Sequence, residues 1–542
     1  MKVLIKSTIL ICSFLFILNF KAQAQKKPKK EIKEETEEIE AKEKKPIQKL
    51  EIDFEKNIPA YEVAMLGNKG IVMMTSEKQI LNLTKYNSDL KKSYSVDLNI
   101  EKGHSYIAYL HKKNKIYLLF ADSYNAAEYY IYTEVFKKFI VIEFDLETKK
   151  QKTVAGKFEK SFLLNKMEEL NGKVYLMGTT NYPGWANIAT VDFSKQEAIC
   201  EVIDNYGKKP HIKMLGANIN SEKNVANVLV KDSKSKKETH YYIQSISLGN
   251  QNKPSDPVEM NIGDNYEVFT SKVNYTGESD RLVVGCFGDK VKKTVRGGDK
   301  FALTKGIYIS KLDKSKVLWN KNILYTQIFN SENSKSKDIS INEINSKTQI
   351  QVLFHDVIET DEQYIFIGET YYPTFHTEIR TSESNGRYIT YTANIFDGFL
   401  YDKCIAFATD KKGTFQWSSV FLMPSYITHY PTTERVKVNT LSDKIAVSTF
   451  NNLNLITYHL DKEGFTEVQD LNHITANKID VNVRNLNTNI EYWYDNYYLV
   501  YGDMEYKASK KDENSKKKRQ YIFFYKMQLG DEYKEENDED EE

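Results

Sequence analysis

The chain has 542 residues with 76 basic and 75 acidic side chains, so its formal net charge is only +1. This balance provides no overall field to attract nucleic acid or an anionic membrane, and we expect neither as a partner. Tyr, Phe and Trp make up 13% of the chain, which contains only 10 prolines, and this composition favours a well-packed, strand-rich protein.

Cysteine is too scarce for a disulfide scaffold. Beyond the first 24 residues only Cys200, Cys286 and Cys404 occur, and they lack the Cys-x-x-Cys or Cys/His spacing of metal ligands. We expect buried thiols, no structural metal site and no cofactor.

Residues 1–24 have the features of a secretory signal peptide. Lys2 and Lys6 precede an apolar run that ends at Phe20, and Ala22 and Ala24 have the spacing that signal peptidase recognises. The run is shorter than the roughly 20 residues that span a bilayer, and no later stretch is apolar enough to do so. We therefore expect export to the periplasm or the medium, with no membrane span.

Two charged segments flank the rest of the chain. Residues 25–48 are predicted to be a charged flexible linker, and residues 530–542 a disordered acidic tail, because both are too polar to form a core. One folded domain is then expected over residues 49–529.

A pattern of paired strands repeats eight times between these flanks. Each unit has a turn of Asn, Asp, Gly or Ser, an apolar strand, a loop of variable length and a second strand. Additional strands are predicted just upstream of several pairs, for example at SYIAYLH, VLFHDVI and RVKVNTL (105–111, 352–358 and 435–441). The eight units are 67–98, 113–150, 171–196, 222–248, 279–319, 361–417, 442–465 and 494–529.

Three or four antiparallel strands per unit, with almost no convincing helix, indicate an all-β fold. We predict a single β-propeller of seven to eight blades, with a sandwich pair or a β-helix as the alternative. The last unit lacks a final strand, whereas KLEIDF (49–54) alternates like a strand and precedes the first unit. We expect KLEIDF to complete the last unit and close the ring, which would remove an exposed sheet edge.

Three features of the sequence resemble those of a known group of proteins. The leader ends in AQAQ, the composition is rich in Lys, Asn, Tyr and Ile, and the turn-rich units include LDKEGF and TDKKGTFQW. In these features the chain resembles uncharacterised exported propeller-like proteins of Bacteroidetes-type bacteria. The resemblance implies a cell-envelope setting and no particular activity.

Two hexapeptides, GTTNYP (178–183) and GETYYP (368–373), share the pattern G-x-T-x-Y-P in the third and sixth units. Glycine lets the backbone leave a strand and proline prevents further ladder pairing, so we expect each to be an exit turn at the same edge of its unit. The neighbouring loops are long and aromatic, and loops that join second to third strands emerge on one face of a propeller. We expect nine side chains to form a ligand-binding face there: Tyr124, Tyr129, Tyr130, Tyr182, Trp185, Tyr371, Tyr372, Phe375 and His376.

Large aromatic side chains with polar tips suit stacking on sugars or contacts with another protein. We therefore predict an exported, non-catalytic binding or scaffold propeller that recognises a cell-envelope protein or glycan. The alternative is a glycan-directed propeller hydrolase that uses the loop carboxylates Glu369, Glu378 and Asp397 with His376, at the fixed separation such chemistry requires. The GxGxxG, P-loop, HExxH and GxSxG signatures are absent. His355 is expected to be a buried histidine bonded to a neighbour.

The first testable prediction concerns processing. Export should remove residues 1–24, because Ala22 and Ala24 fit the signal peptidase site, and the mature chain should begin at Gln25. Intact-mass measurement of the exported protein checks this. A mass that retains residues 1–24, or that includes a lipid, would contradict it.

Overall fold

Short apolar runs bounded by turns form strands along the described chain, as in β7 (Lys115–Ala121), where IYLLFA is buried throughout. Such runs, rich in Ile, Val, Leu and aromatic residues, suit strands that are covered on both faces. The structure is a computed structural model. It describes residues 48–54, 58–77, 79–128, 131–180, 184–203, 212–233, 239–249, 251–263, 265–276, 280–289, 304–313, 315–329, 350–384, 387–428, 434–440, 445–451, 454–461, 464–473, 482–495, 497–507 and 518–528.

The described strands form seven antiparallel sheets, numbered here in chain order. Sheet 1 contains β2 (Ala60–Met65), β3 (Ile71–Glu77), β4 (Ile80–Tyr86) and β5 (Lys92–Asn99). Sheet 2 contains β6 (Ser105–Lys112), β7, β8 (Tyr124–Glu128), β9 (Ile131–Asp145), β10 (Gln151–Leu170), β11 (Lys173–Thr180), β12 (Trp185–Asp192) and β13 (Glu197–Val202).

The eight strands of sheet 2 comprise two halves that share one long strand. β10 spans 20 residues and pairs with β9 in its first part. From Phe162 to Leu170 it pairs with β11, and Phe162 and Leu163 also pair with β9 after a register shift between Lys157 and Phe162. The second and third predicted units are therefore two four-stranded halves of one sheet.

Sheets 3 to 5 continue in chain order. Sheet 3 contains β14 (Ile212–Asn220), β15 (Val225–Asp232), β16 (His240–Ser247), β17 (Lys253–Pro254) and β18 (Val258–Met260). Sheet 4 contains β19 (Tyr266–Thr276), β20 (Asp280–Asp289), β21 (Thr304–Leu312) and β22 (Val317–Leu324). Sheet 5 contains β23 (Gln351–Phe354), β24 (Ile358–Glu359), β25 (Gln363–Ser384), β26 (Arg387–Asp410) and β27 (Phe415–Thr428).

The last two sheets complete the described fold. Sheet 6 contains β28 (Val436–Asn439), β29 (Ile445–Asn451), β30 (Asn454–Asp461) and β31 (Gly464–His473). Sheet 7 contains β32 (Asn482–Tyr494), β33 (Tyr497–Lys507), β34 (Lys518–Gln528) and β1 (Gln48–Phe54). Helix is limited, among the described residues, to a single 3-10 turn (Gly67–Lys69) and α1 (Tyr325–Phe329).

Strand β1 is the outer strand of sheet 7, although it precedes sheet 1 in the chain. It pairs antiparallel with β34, and Leu50 lies opposite Phe524. The prediction that KLEIDF pairs with the last strand is confirmed. Leu50, Ile52 and Phe54 also pack against a core that contains Val63 of sheet 1.

Apolar side chains of consecutive sheets form shared cores. Clusters join sheets 1 and 2, the two halves of sheet 2, sheets 2 and 3, sheets 3 and 4, sheets 4 and 5, and sheets 5 and 6. Another joins sheet 7 to sheet 1, where Trp493 Nε1 donates to the Gly70 carbonyl oxygen at 3.0 Å. This all-β arrangement is consistent with a propeller.

One predicted loop has a different structure. The segment after GETYYP is a hairpin in which β25 has 22 residues and β26 has 24. Pro373 does not end the strand. It lies opposite Phe399 in a short segment between register shifts at Thr370/Tyr371 and Thr374/Phe375, and strand irregularities of this kind accommodate proline. The expectation of an exit turn at GETYYP is therefore wrong.

The three described cysteines are free thiols, with Cys286 and Cys404 buried and Cys200 partly buried. No helix in the described part of the chain has the length and hydropathy needed to cross a membrane.

The role of β1 can be tested by deletion. Removing residues 49–54 should lower the melting temperature of the whole domain in one cooperative step, because it leaves the edge of β34 unpaired and opens the core shared with sheet 1. The control deletion removes residues 26–45, a charged segment predicted to contribute nothing to the core. Equal melting temperatures for the two deletion variants, measured by circular dichroism, would refute this role.

Candidate functional site

The two G-x-T-x-Y-P segments share a structural role in their first half. A Cβ atom at Gly178 would overlap the Leu163 carbonyl oxygen, and one at Gly368 would overlap the Val352 side chain, so the preceding strand requires glycine at both places. Two residues later, Thr180 Oγ1 donates to the Trp185 carbonyl oxygen at 3.4 Å. Thr370 Oγ1 likewise bonds the backbone of the next strand.

Glu369, between Gly368 and Thr370, is fully buried, with 0% of its surface exposed. Its carboxylate accepts the backbone N–H of Arg435, just before β28, at 2.8 Å and that of Val436, the first residue of β28 in sheet 6, at 3.1 Å. His355 Nε2 lies 2.9 Å from the same carboxylate. Glu369 therefore joins sheets 5 and 6, and the expectation that His355 is buried against a neighbour is confirmed.

His376 is held between two carboxylates where β25 and β26 extend past the rest of sheet 5. Its Nδ1 bonds Asp397, and its Nε2 lies 3.2 Å from Glu378 Oε1. Arg380 Nε donates to Glu378 Oε2 at 3.0 Å. These four residues form the His376 cluster, which is built on hydrogen-bonded strands and not on a loop.

The carboxylates determine the charge of the His376 cluster. Hydrogen bonds to Asp397 and Glu378 raise the pKa of His376, so the ring stays an imidazolium at pH values where a free histidine is neutral. Hydrogen bonds from His376 and Arg380 lower the pKa of Glu378. The cluster thus presents paired charges, and Glu378, with its lowered pKa, does not suit the role of a proton donor near neutral pH.

The structure describes the side chains of five of the nine predicted site residues. Phe375 is 40% exposed and lies beside Phe396, while Tyr372 is partly buried with its hydroxyl 3.3 Å from Asp402. Trp185 is partly exposed at the start of β12, on a different sheet, and no described contact joins it to His376. Tyr371 departs from the expectation, because it is only 5% exposed and packs in the core between sheets 5 and 6.

The structure does not describe the side chains of the four other predicted residues. Tyr124 begins β8, but its side chain is outside the described part of the structure. Tyr129, Tyr130 and Tyr182 lie outside the described residues.

A second group of titratable side chains, not predicted from sequence, lies on the first strands of four sheets. Tyr106 of sheet 2 donates to Glu62 of sheet 1 at 2.5 Å. Lys437 of sheet 6 lies 2.8 Å from Glu491 of sheet 7. Tyr109 of sheet 2 connects the pairs electrostatically, because its pKa is raised first by burial and then by the charges of Glu62 and Glu491. We call these five residues the first-strand cluster.

The first-strand cluster contains carboxyl groups that resist ionisation. Burial among protein groups raises the pKa of Glu62 although water reaches the side chain, and the hydrogen bond from Tyr106 opposes the shift only in part. Burial also raises the pKa of Glu491, against the opposing charge of Lys437. Burial alone would lower the pKa of Lys437, but Glu491 and Glu434 outweigh it and raise the pKa. Hydroxyl, carboxyl and ammonium groups therefore occur together, a set that suits a polar ligand.

A depression of about 940 Å³ lies elsewhere, lined by residues of sheet 1 and by Phe54, and includes Glu77 and Asp97. It is partly open to solvent and is lined by none of the predicted site residues, so the hydrogen-bonded clusters are better candidates. Among the described residues, no group of three or more His, Cys, Asp or Glu side chains is placed to hold a metal ion.

Comparisons with known proteins give a distant structural resemblance. No family profile matches the chain, and no curated protein sequence matches it. A solved prolyl endopeptidase matches with a TM-score of 0.38 and 11% identity, over 84% of this chain and 55% of that chain, so this chain spans about half of its length. The tricorn protease matches with a TM-score of 0.35 and 7% identity, over 78% of this chain and 35% of that chain. A GH43 protein from Bacillus licheniformis matches with a TM-score of 0.24 and 8% identity, over 87% of this chain and 98% of that chain.

These are remote likenesses to β-propeller domains, and nothing about activity follows from them.

The structural role of Glu369 gives a testable prediction. Glu369→Ala should destabilise the protein by about 2–5 kcal/mol, because the buried N–H groups of Arg435 and Val436 would lose their acceptor. Glu378→Ala, which removes an exposed carboxylate from the same strand, should change stability by about 0.5 kcal/mol or less. Denaturant unfolding of both variants measures the difference, and similar losses for the two would disprove the assignment.

Proposed function

We propose that the chain is an exported binding or scaffold protein with a closed, eight-bladed propeller, which recognises a cell-envelope protein or glycan and does not cleave it. Export rests on the predicted signal peptide, residues 1–24. The envelope setting is the one implied by the resemblance of its sequence to exported propeller-like proteins.

Closure is supported by bonds between neighbouring sheets at both ends of the series. Asn439 Nδ2 of sheet 6 donates to Tyr498 Oη of sheet 7 at 2.8 Å. Tyr61 Oη of sheet 1 lies 3.2 Å from Asp503 of sheet 7. With the halves of sheet 2 counted separately, the described strands form eight units of four or five strands, and β1 is the outer strand of the last. In the proposed ring, each unit packs against the next and the last against the first.

The observation that carries the binding proposal is the His376 cluster with its aromatic neighbours. Tyr372 and Phe375 place partly exposed rings beside hydrogen-bonded charges on the β25–β26 hairpin. Rings with adjacent polar groups suit recognition of a sugar or of a protein surface. Trp185 remains a proposed member of the same ligand-binding face.

Chemistry at the His376 cluster supports binding over cleavage. Glycoside hydrolysis needs one protonated carboxyl as the acid and a second carboxylate at a set distance. Glu378 has a lowered pKa, and the third candidate carboxylate, Glu369, is buried and bonded to backbone N–H groups. Glu378 therefore does not suit the role of the acid, and the buried Glu369 is not accessible to a substrate.

A glycan-directed hydrolase is the second candidate, and the first-strand cluster is the observation that favours it. Glu62 and Glu491 have raised pKa values, so either could retain a proton for a leaving group. Tyr106 differs, because burial and Glu62 raise its pKa strongly and keep it a neutral hydrogen-bond donor.

The binding proposal predicts a loss of affinity without a loss of fold. Trp185→Ala and Tyr372→Ala should each weaken capture of the envelope partner, by about 1–3 kcal/mol for a central stacking ring. The control is Leu318→Ala, which removes an exposed apolar side chain from sheet 4. Pull-down from an envelope fraction and binding to a glycan panel, with circular dichroism as the fold check, provide the measurement.

Two results would count against this proposal. Binding that is the same for all three variants would exclude the aromatic face. Turnover of a glycan that is abolished by Glu62→Gln or Glu491→Gln would establish the hydrolase instead.

A further inference from the structure

The β25–β26 hairpin extends beyond the sheet that anchors it. We call residues 374–384 of β25 and 387–398 of β26 the hairpin arm. In the described chain, β23 pairs with β25 only as far as Tyr371, and β27 pairs with β26 only from Phe399 onward. The arm therefore has two strands and, within the described residues, no third one.

Apolar side chains project from both strands of the arm. Ile379 is 78% exposed and Tyr388 is 76% exposed, and Ile389 and Tyr391 are also exposed. A two-stranded hairpin is marginally stable alone in water, and its open edges are templates for pairing with another strand. Both facts indicate that the arm is covered in the working protein.

The sequence of β25 at the arm identifies what covers it. Residues 377–381 read Thr-Glu-Ile-Arg-Thr, which is the same in both directions except that Glu and Arg exchange places. If a second copy pairs antiparallel about Ile379, Glu378 lies opposite Arg380 of the partner subunit and Thr377 opposite the partner's Thr381. Ile379 then lies opposite its own copy on the other face. Every position meets a compatible side chain.

We propose that two copies of this chain associate through antiparallel pairing of their β25 arms, with the two-fold axis at Ile379. An isologous contact of this kind uses the same surface twice and closes on itself, so it pairs the β25 edge of both copies and leaves the β26 edges outermost. The pairing extends the hairpin to four strands.

Charge sets the register of this pairing. A shift by one residue would place Ile379 opposite a charged side chain and would break the Glu378–Arg380 match. The free edge of β26 has no charge pair that would fix a register, because residues 388–392 carry no charge. Arg380 already bonds Glu378 within one chain, and its guanidinium has further donors for a second carboxylate.

Charge exchange tests the register in the full mature protein. Glu378→Arg alone places Arg opposite Arg, and Arg380→Glu alone places Glu opposite Glu. Each single variant should weaken the dimer on the order of tenfold, whereas the double exchange should restore it, because opposite charges again face each other. Sedimentation velocity over a concentration series measures the dissociation constant, and circular dichroism checks the fold.

A covalent test uses the predicted axis. Ile379→Cys should form a disulfide-linked dimer under mild oxidation, since residues opposite each other on paired strands lie within disulfide reach. Ile389→Cys, an exposed control on the other strand, should not. The unmodified protein controls for Cys200.

Three results would overturn the proposal. They are a protein that is monomeric at all concentrations, a dimer that the single charge variants leave unchanged, and a double exchange that fails to restore association. The second would assign the dimer to another surface, and arm-dependent binding of a different partner would assign the arm to that partner.

Discussion

Six of the seven described sheets contribute apolar side chains to two or more cores, so neither of their faces can be left in water. β7 and β11 are buried along most of their length, and such strands need cover above and below. In a series of sheets packed face to face, both faces of every sheet are covered except the outer faces of the first and the last. Those two sheets share a core here, and β1 adds a fourth strand to the last one. The remaining features of the fold depend on this requirement for cover.

Because the sheet faces are covered, polar groups on the inner strands form hydrogen bonds and ion pairs with groups of the neighbouring sheet. Glu369 accepts backbone N–H groups of the next sheet, and Lys437 lies against Glu491. Burial of this kind is tolerated when the hydrogen bonds are complete, but it shifts proton affinities where they are not. The raised pKa values of Glu62 and Glu491 therefore follow from packing, and they also make the first-strand cluster chemically distinctive.

In a single chain, the hairpin arm extends beyond its sheet and leaves apolar side chains exposed to water. It carries the His376 cluster, and it exposes Ile379 and Tyr388. Glu378 and Arg380 belong both to this cluster and to the proposed dimer contact, whereas Tyr372 and Phe375 lie outside that contact. One polypeptide element thus carries the proposed ligand face and the proposed dimer contact, which share these two charged side chains.

The strands were largely predictable, because apolar runs and their bounding turns are local signals. All eight predicted units correspond to paired strands, and the addition of KLEIDF to β34 followed from a missing edge. The arm was not predictable by the same means, since proline and a long polar segment usually indicate a loop. Only the pairing partner, residue by residue across β26, makes Pro373 part of a strand.

The candidate site likewise combines features that are local in the sequence with features that depend on the fold. The sequence by itself determined that aromatic and charged residues follow Gly368, but not which of them reach solvent. Tyr371 is buried whereas Phe375 is exposed, and Glu369 is bonded to a sheet that lies 66 residues away in the chain. Glu62, Tyr106 and Glu491 have no common motif. Only the tertiary structure could bring them together, because proton affinity and exposure depend on neighbours that are distant in sequence.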